Sequence, residues 1–282
     1  MNDVDFSTGT LPGASGGTRH TCCWSPQGAP RSLLVLTHGL AEHSGRYHWF
    51  ASQLARNGCV VHAIDHCGHG RSDGRRADIV SFAGVVTDLG ALLQRATLAH
   101  PGLPCFLFGH SMGGALAFDC ALRNPERING LVLSAPLLAM DPAAPAWRVA
   151  LVRLLARVAP GLGAITLPAD TISRDPEMVR AYEEDPLVYR GAIPARTIAE
   201  LFANVATLAA RAPQLRMPLL YLHGSGDRLV PLAHSRTVVE RAGSTDRTQR
   251  IYEGLYHEIL NEPEREQVAR DISDWVAAHL PA

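Results

Sequence analysis

Residues 107–118 read LFGHSMGGALAF, an apolar strand pattern that runs without a linker into an alanine-rich helix pattern, with Gly109-His110-Ser111-Met112-Gly113 at the junction. G-x-S-x-G at a strand-to-helix turn is a nucleophile elbow: the turn lifts the serine hydroxyl above a sheet and strains the serine backbone. Side chains two residues to either side of the serine would collide in so tight a turn, so Gly109 and Gly113 are steric requirements of the geometry. Gly114 would let the helix pack close. The helix N-terminus also aims its free N–H groups and positive dipole end at an anion forming beside Ser111. Small residues surround turn serines for structural reasons too; the position between strand and helix favours the nucleophile.

Short apolar runs and helical patterns alternate outward from this point. Residues 33–36, 60–64, 105–108 and 131–134 read as strands apolar on both faces. Residues 49–57 form a helical pattern closed by Gly58, and Phe82, Val85, Leu89, Leu92 and Ala96 recur at helical spacing until Pro101-Gly102. The rhythm returns with strands at 219–222 and 249–252 and helices at 233–242 and 264–279. Such repeats predict an α/β fold with a mostly parallel central sheet flanked by helices, and residues 18–24 read as an edge strand. Functional groups then belong at the carboxyl ends of the strands. The stretch from Ser134 to Leu219 far exceeds the usual connection of about two to six residues, and it holds helical patterns at 147–158 and 197–210. It reads as an inserted helical cap, residues 137–217, on a core of residues 1–136 and 218–282.

A serine hydroxyl needs a base, and the base needs an orienting acid; in this topology they follow in the order Ser, Asp, His. HGSGDRLVP (223–231) places Asp227 in a glycine-rich loop after one strand, and EGLYHE (253–258) places His257 in the loop after the next. The plainer alternatives are a turn aspartate bonded to its own backbone and a surface histidine. An oxyanion needs two N–H donors: Met112 offers one, and Leu40, where THGLAEH (37–43) turns at Gly39, offers the other. In IDHCGHG (64–70), His66, Cys67 and His69, with Asp65 or His62 nearby, have zinc-ligand chemistry. Gly68 and Gly70 point instead to a tight loop whose polar groups brace the site, so no metal is expected.

A net charge of −1 gives no basic face for nucleic acid. MNDVDFSTGT lacks the layout of a signal peptide, and no apolar run of about twenty residues is present. The six cysteines show no C-x-x-C, and four lie in or beside apolar runs. These features predict a cytoplasmic protein.

Together HGLAEHSGRY (38–47), DHCGHGRSDG (65–74), GHSMGG (109–114), HGSGDRLVP (223–231) and YEGLYHE (252–258) resemble the monoacylglycerol lipases, α/β-hydrolases of the branch shared with lysophospholipases. The segment SRDPEMVRAYEEDPLVYRG (173–191) resembles the bacterial members, so the likeness covers nearly the whole chain. The resemblance implies Ser111, Asp227 and His257 as a triad and Leu40 and Met112 as the oxyanion hole. It further implies cofactor-free hydrolysis of a monoacylglycerol or similar lipid ester to glycerol and fatty acid. It offers Glu42 and Arg46 as contacts to the glycerol hydroxyls, with a salt-bridged pair bracing the loop as the alternative. Some relatives carry a histidine three residues after the catalytic one, where this chain has Leu260. The apolar stretch AWRVALVRLLARVAPGLG (146–163) fits burial within the cap; the resemblance adds an acyl tunnel and transient contact with a membrane surface. Competing functions are lysophospholipid or short-ester hydrolysis, aminoacyl-peptide cleavage with Glu183 and Glu184 as amine-binding carboxylates, and ligand binding without catalysis.

Overall fold

The chain opens on a hairpin, β1 (Val4–Pro12) and β2 (Thr18–Pro26), and continues through β3 (Ser32–Thr37), α1 (His48–Arg56), β4 (Cys59–Ile64), α2 (Phe82–Ala99), β5 (Cys105–His110), α3 (Met112–Arg123) and β6 (Gly130–Ser134). An insertion follows: α4 (Ala146–Val158), β7 (Gly163–Ile165), α5 (Pro176–Glu184), β8 (Ile193–Pro194) and α6 (Ala195–Arg211). The chain closes with β9 (Leu219–Gly224), α7 (Leu232–Glu240), β10 (Arg247–Tyr252) and α8 (Arg265–Ala278). This computed structural model describes residues 4–139 and 145–281.

Eight strands form one sheet in the order β1-β2-β4-β3-β5-β6-β9-β10. From β4 to β10 every neighbouring pair is parallel, while β2 runs antiparallel to both β1 and β4. The doubly apolar strands explain the layering. Leu33, Val35, Leu107, Leu131, Leu133 and Tyr221 point into a core shared with α2, α3, α6 and α7. Their alternates Leu34, Leu36, Phe106, Phe108, Val132 and Leu222 meet α1 and α8 on the opposite face. Each such side chain contributes about 1.5–3 kcal/mol by leaving water, so a polar residue on either face of these strands would be costly.

The expected edge strand at residues 18–24 is instead internal: β2 pairs with β4 through Thr21↔Ile64 to Trp24↔Val61. The edge is β1, which lies mostly exposed over VDFSTGTLP and so carries no burial pattern for a sequence reader to find. Its hairpin is fastened by a buried ion pair. Arg19 Nε donates to Asp88 Oδ2 of α2 at 2.6 Å, and Asp88 Oδ1 accepts from Ala14 N–H at 2.6 Å.

The insertion is rooted at one end. Leu201, Val205 and Leu208 of α6 lie in the main core, and the fully buried Asp119 of α3 pairs with Arg211 at 2.6 Å and Arg123 at 2.7 Å. Thr197 Oγ1 donates to the Ala77 carbonyl, Tyr189 N–H to the Ala41 carbonyl, both at 2.8 Å. Of the expected cap, residues 140–144 lie outside the described residues, and the second half of α6 shares the packing of the core. Among the described residues no helix is long and apolar enough to cross a membrane.

The Arg19–Asp88 pair is 1% and 3% exposed, and a buried charge that loses its partner costs about 3–5 kcal/mol. Asp88→Ala should therefore lower the unfolding free energy in urea by about that amount. A loss below about 1 kcal/mol would show that the hairpin does not depend on the pair.

Candidate active site

Ser111 stands between β5 and α3 with φ 55° and ψ −120°, a conformation that only a tightly constrained turn holds in a non-glycine residue. A Cβ at Gly113 would fall on the carbonyl oxygens of Thr37 and His38. One at Gly109 would strike the Gly113 carbonyl and the Ala117 side chain, and one at Gly114 would strike Pro136. The glycines thus allow α3 to start wedged between the loops that follow β3 and β6. Ala41 and Ala135, in those same loops, also have positive φ, 69° and 42°.

Three strand ends bring the predicted polar residues together. His257 Nε2 lies 2.8 Å from Ser111 Oγ, and His257 Nδ1 lies 2.7 Å from Asp227 Oδ2. With Nδ1–H donating to the carboxylate, Nε2 is free to accept the serine proton. Asp227 also satisfies its alternative reading, because its Oδ1 accepts from the N–H groups of Leu229 and Val230 at 2.8 and 2.9 Å. One oxygen shapes the turn and the other faces the histidine. Burial alone would raise the Asp227 carboxyl, but His257 and the hydrogen bonds from His223, His257 and Val230 hold it well below the usual range. Burial alone would lower His257; Asp227, with Glu258 and Glu42 further off, raises it above its ordinary value.

Leu40 and Met112 both line the cavity beside Ser111, Leu40 from the loop after β3 and Met112 at the start of α3. Among the described residues neither N–H donates in a turn, loop or cap hydrogen bond. Glu42 lines the same cavity, while Arg46 stands behind it. Arg46 donates to Glu42 Oε2 at 3.0 Å and grips Glu258 through both terminal nitrogens at 2.5 and 2.7 Å. Its guanidinium is thereby committed to bracing, and Arg46 holds the buried Glu258 carboxyl down at about 2 against the upward push of burial. Glu42 Oε1 meanwhile accepts from Gly39 N–H at 2.6 Å and Tyr47 Oη–H at 2.8 Å. Leu260 is buried in the core beneath α8, away from the cavity. Glu183 and Glu184 are exposed on α5 and do not line it.

Sequence reading gave no role to His110, Tyr182 or Glu258, which also line the cavity. The His110 ring lies 4.7 Å from that of His257, and burial with the neighbouring histidine pushes it down to about 4. Its place inside the elbow motif was the available signal. Of the 64–70 loop, His66 braces the loop after β3: its N–H donates to His38 Nε2 and its Nε2 meets Thr37 Oγ1, while His38 Nδ1–H donates to the Gly39 carbonyl. Asp65 accepts from Ser44 and from Arg71 N–H. Among the described residues no three His, Cys, Asp or Glu side chains are grouped to hold a metal ion.

The cavity of about 250 Å³ is walled mainly by apolar side chains, including Leu137, Ile165, Leu167, Ile198 and Phe202. Near its wall α4 packs Val152 inward and leaves Trp147, Leu151, Leu154 and Val158 exposed, with Arg153 and Arg157 beside them. Leu162 and Ile165 are exposed as well, and Ile165 lines the cavity.

The chain is similar to known proteins in sequence and in fold. Residues 28–264 match the family Hydrolase_4, described as serine aminopeptidase, S33. The chain is 43% identical over 258 residues to a monoacylglycerol lipase of Mycolicibacterium smegmatis, covering 91% of this chain and 92% of that protein. It is 37% identical over 257 residues to the monoglyceride lipase of Homo sapiens, covering 90% and 85%. The crystal structure of Paleococcus ferrophilus monoacylglycerol lipase superposes with a TM-score of 0.82 at 32% identity, covering 98% of this chain and 99% of that one.

A raised His257 has a defined consequence for pH. The ring must be neutral to accept the Ser111 proton, so the rate of fluorophosphonate labelling should rise with pH through a midpoint above about 6.5. The stability supplied by protonated His257 beside Asp227 runs the opposite way: complete below the unfolded value near 6.5, and lost as pH rises through the folded one. A labelling midpoint at or below about 6.5 would contradict the charge arrangement.

Proposed function

Because the chain belongs to the Hydrolase_4 family and, within it, to the monoacylglycerol lipases, we propose that it hydrolyses monoacylglycerols to glycerol and a free fatty acid through an acyl-enzyme on Ser111. The observation that carries this reading is the hydrogen-bonded line Ser111–His257–Asp227 opening into an apolar cavity. His257 Nε2 takes the Ser111 proton as Oγ attacks the ester carbonyl. The N–H groups of Leu40 and Met112 receive the oxyanion, and Asp227 stabilises the imidazolium. The tetrahedral intermediate collapses, His257 returns its proton to the departing glycerol oxygen, and the fatty acyl group stays on Ser111. Water, deprotonated by the same histidine, then releases the fatty acid and restores the serine.

The apolar wall suits one acyl chain, each buried CH₂ adding about 0.8 kcal/mol of binding. Glu42, which lines the cavity, is the carboxylate we assign to a glycerol hydroxyl, and Arg46 serves by holding Glu42 and Glu258. Residues 137–217 act as the cap on a core of residues 1–136 and 218–282. The exposed apolar side chains of α4, flanked by Arg153 and Arg157, suit transient docking on a lipid surface, from which a single-chain ester can pass to the cavity.

Fatty-acid release from mono-, di- and trioleoylglycerol and from lyso-phosphatidylcholine tests the reaction. Monooleoylglycerol should lead, and Ser111→Ala should lose about six orders of magnitude in turnover. If lyso-phosphatidylcholine leads while the variant is silent, the serine chemistry stands and the substrate assignment falls. Docking is tested separately with the double variant Leu151→Glu, Leu154→Glu. It should release severalfold less fatty acid from monooleoylglycerol in phospholipid vesicles while keeping its rate on soluble p-nitrophenyl acetate. Equal activity on vesicles would remove the docking role of α4.

A further inference from the structure

The motif HGSGDRLVP contains a histidine that the reaction as described does not use. His223 is the penultimate residue of β9 and is fully buried. Its Nε2 faces two acceptors, Asp227 Oδ2 at 3.1 Å and the Val230 carbonyl at 2.8 Å. A ring nitrogen between two acceptors must carry a hydrogen, in the neutral ring as in the charged one. On the far side, His223 Nδ1 lies 2.8 Å from Tyr221 Oη, whose alternative acceptor, the Leu232 carbonyl, is at 3.5 Å. The short contact favours Tyr221 as donor to Nδ1, which fixes the ring with its hydrogen on Nε2.

We propose that Tyr221 and His223 are a buried positioning pair for Asp227, in which the tyrosine hydroxyl orients the imidazole and the imidazole N–H, shared between the Val230 carbonyl and Asp227 Oδ2, holds that oxygen on line with His257. The inference rests on the reading of Ser111, His257 and Asp227 as the reacting groups. Its geometric argument concerns rotation. The N–H groups of Leu229 and Val230 pin Oδ1, but a carboxylate pinned at one oxygen can still swing the other. His223 supplies the missing restraint, and Val230 closes the ring by holding Oδ1 with its N–H and His223 with its carbonyl. Other charged and titratable groups facing this centre are His110 from the elbow, Glu42 from the loop after β3 and Glu258 beside His257. Arg236 and Glu240 of α7 act on Tyr221.

The test is the pH profile of kcat/KM on p-nitrophenyl acetate for the parent, His223→Phe, His223→Gln and Tyr221→Phe, each normalised to sites titrated with fluorophosphonate. Removing the donor should cost about ten- to a hundredfold in His223→Phe, the loss expected for a hydrogen bond to a charged group. It should also move the acidic limb upward by about half a unit or more, since Asp227 with one donor fewer binds the His257 proton more tightly. His223→Gln should recover most of both, because its side-chain N–H can stand where Nε2 stands. Tyr221→Phe should move the limb the same way by less, and it carries the test alone if His223→Phe fails to fold. A limb unchanged per titrated site in both variants would reduce the pair to packing and overturn the proposal. The short ester separates the failures: a silent reaction with monooleoylglycerol would refute the substrate alone, and full p-nitrophenyl acetate activity in Ser111→Ala would refute the triad itself.

Discussion

The turn at Ser111 is a close approach of backbones that the rest of the site is built around. For the serine oxygen to stand above the sheet, α3 must begin where the carbonyls of Thr37 and His38 already lie, and three glycines leave room for it. The strain at φ 55° is held by bonds on both sides: Ser111 N–H donates to the Ser134 carbonyl, and Leu137 N–H donates back to the Ser111 carbonyl. Parallel strands β3, β5 and β6, buried on both faces, make those anchors rigid. Rigidity matters because a reacting group misplaced by about an ångström loses much of its advantage.

Around that fixed serine the charges are arranged to be matched before substrate arrives. Asp227 is surrounded by N–H donors, so the aspartate stays ionised despite its burial and supports a proton on His257. Glu42 and Glu258 would be costly as a lone buried pair; Arg46 lies between them and binds both. The loop that carries Leu40 is thereby tied, through Glu42, Arg46 and Glu258, to the loop that carries His257. A movement of either loop would break a buried ion pair, so Leu40 and His257 keep their spacing.

Much of this could be read from the chain because the signals are local. Strands apolar on both faces announce a covered parallel sheet, and the elbow motif fixes its own turn. Asp227 was legible by order and position even though its turn role and its charge role look alike in sequence. The parts that were not legible depend on distant contacts. Arg46 and Glu258 are 212 residues apart, and nothing beside Arg46 marks its second partner. β1 hides because an exposed edge strand needs no apolar alternation. Tyr221 reads as strand and His223 as the start of the loop after it, and only the fold shows that the histidine faces Asp227.

The insertion carries a further constraint, set by how its two long helices divide their surfaces. α6 buries Leu201, Val205 and Leu208 in the core and anchors Arg211 on Asp119, so it behaves as part of the frame. α4 rests on that frame through residues such as Val152 and turns Leu151, Leu154 and Val158 to solvent. Exposed apolar surface weakens solubility and adds nothing to folding, so its retention beside a cavity wall asks for a surface to meet. The proposed docking on a lipid surface would meet that need, because the same side chains that are unfavourable in water gain there, with Arg153 and Arg157 available to anionic headgroups. On that proposal the anchored helix keeps the cavity shaped while the apolar one meets the lipid.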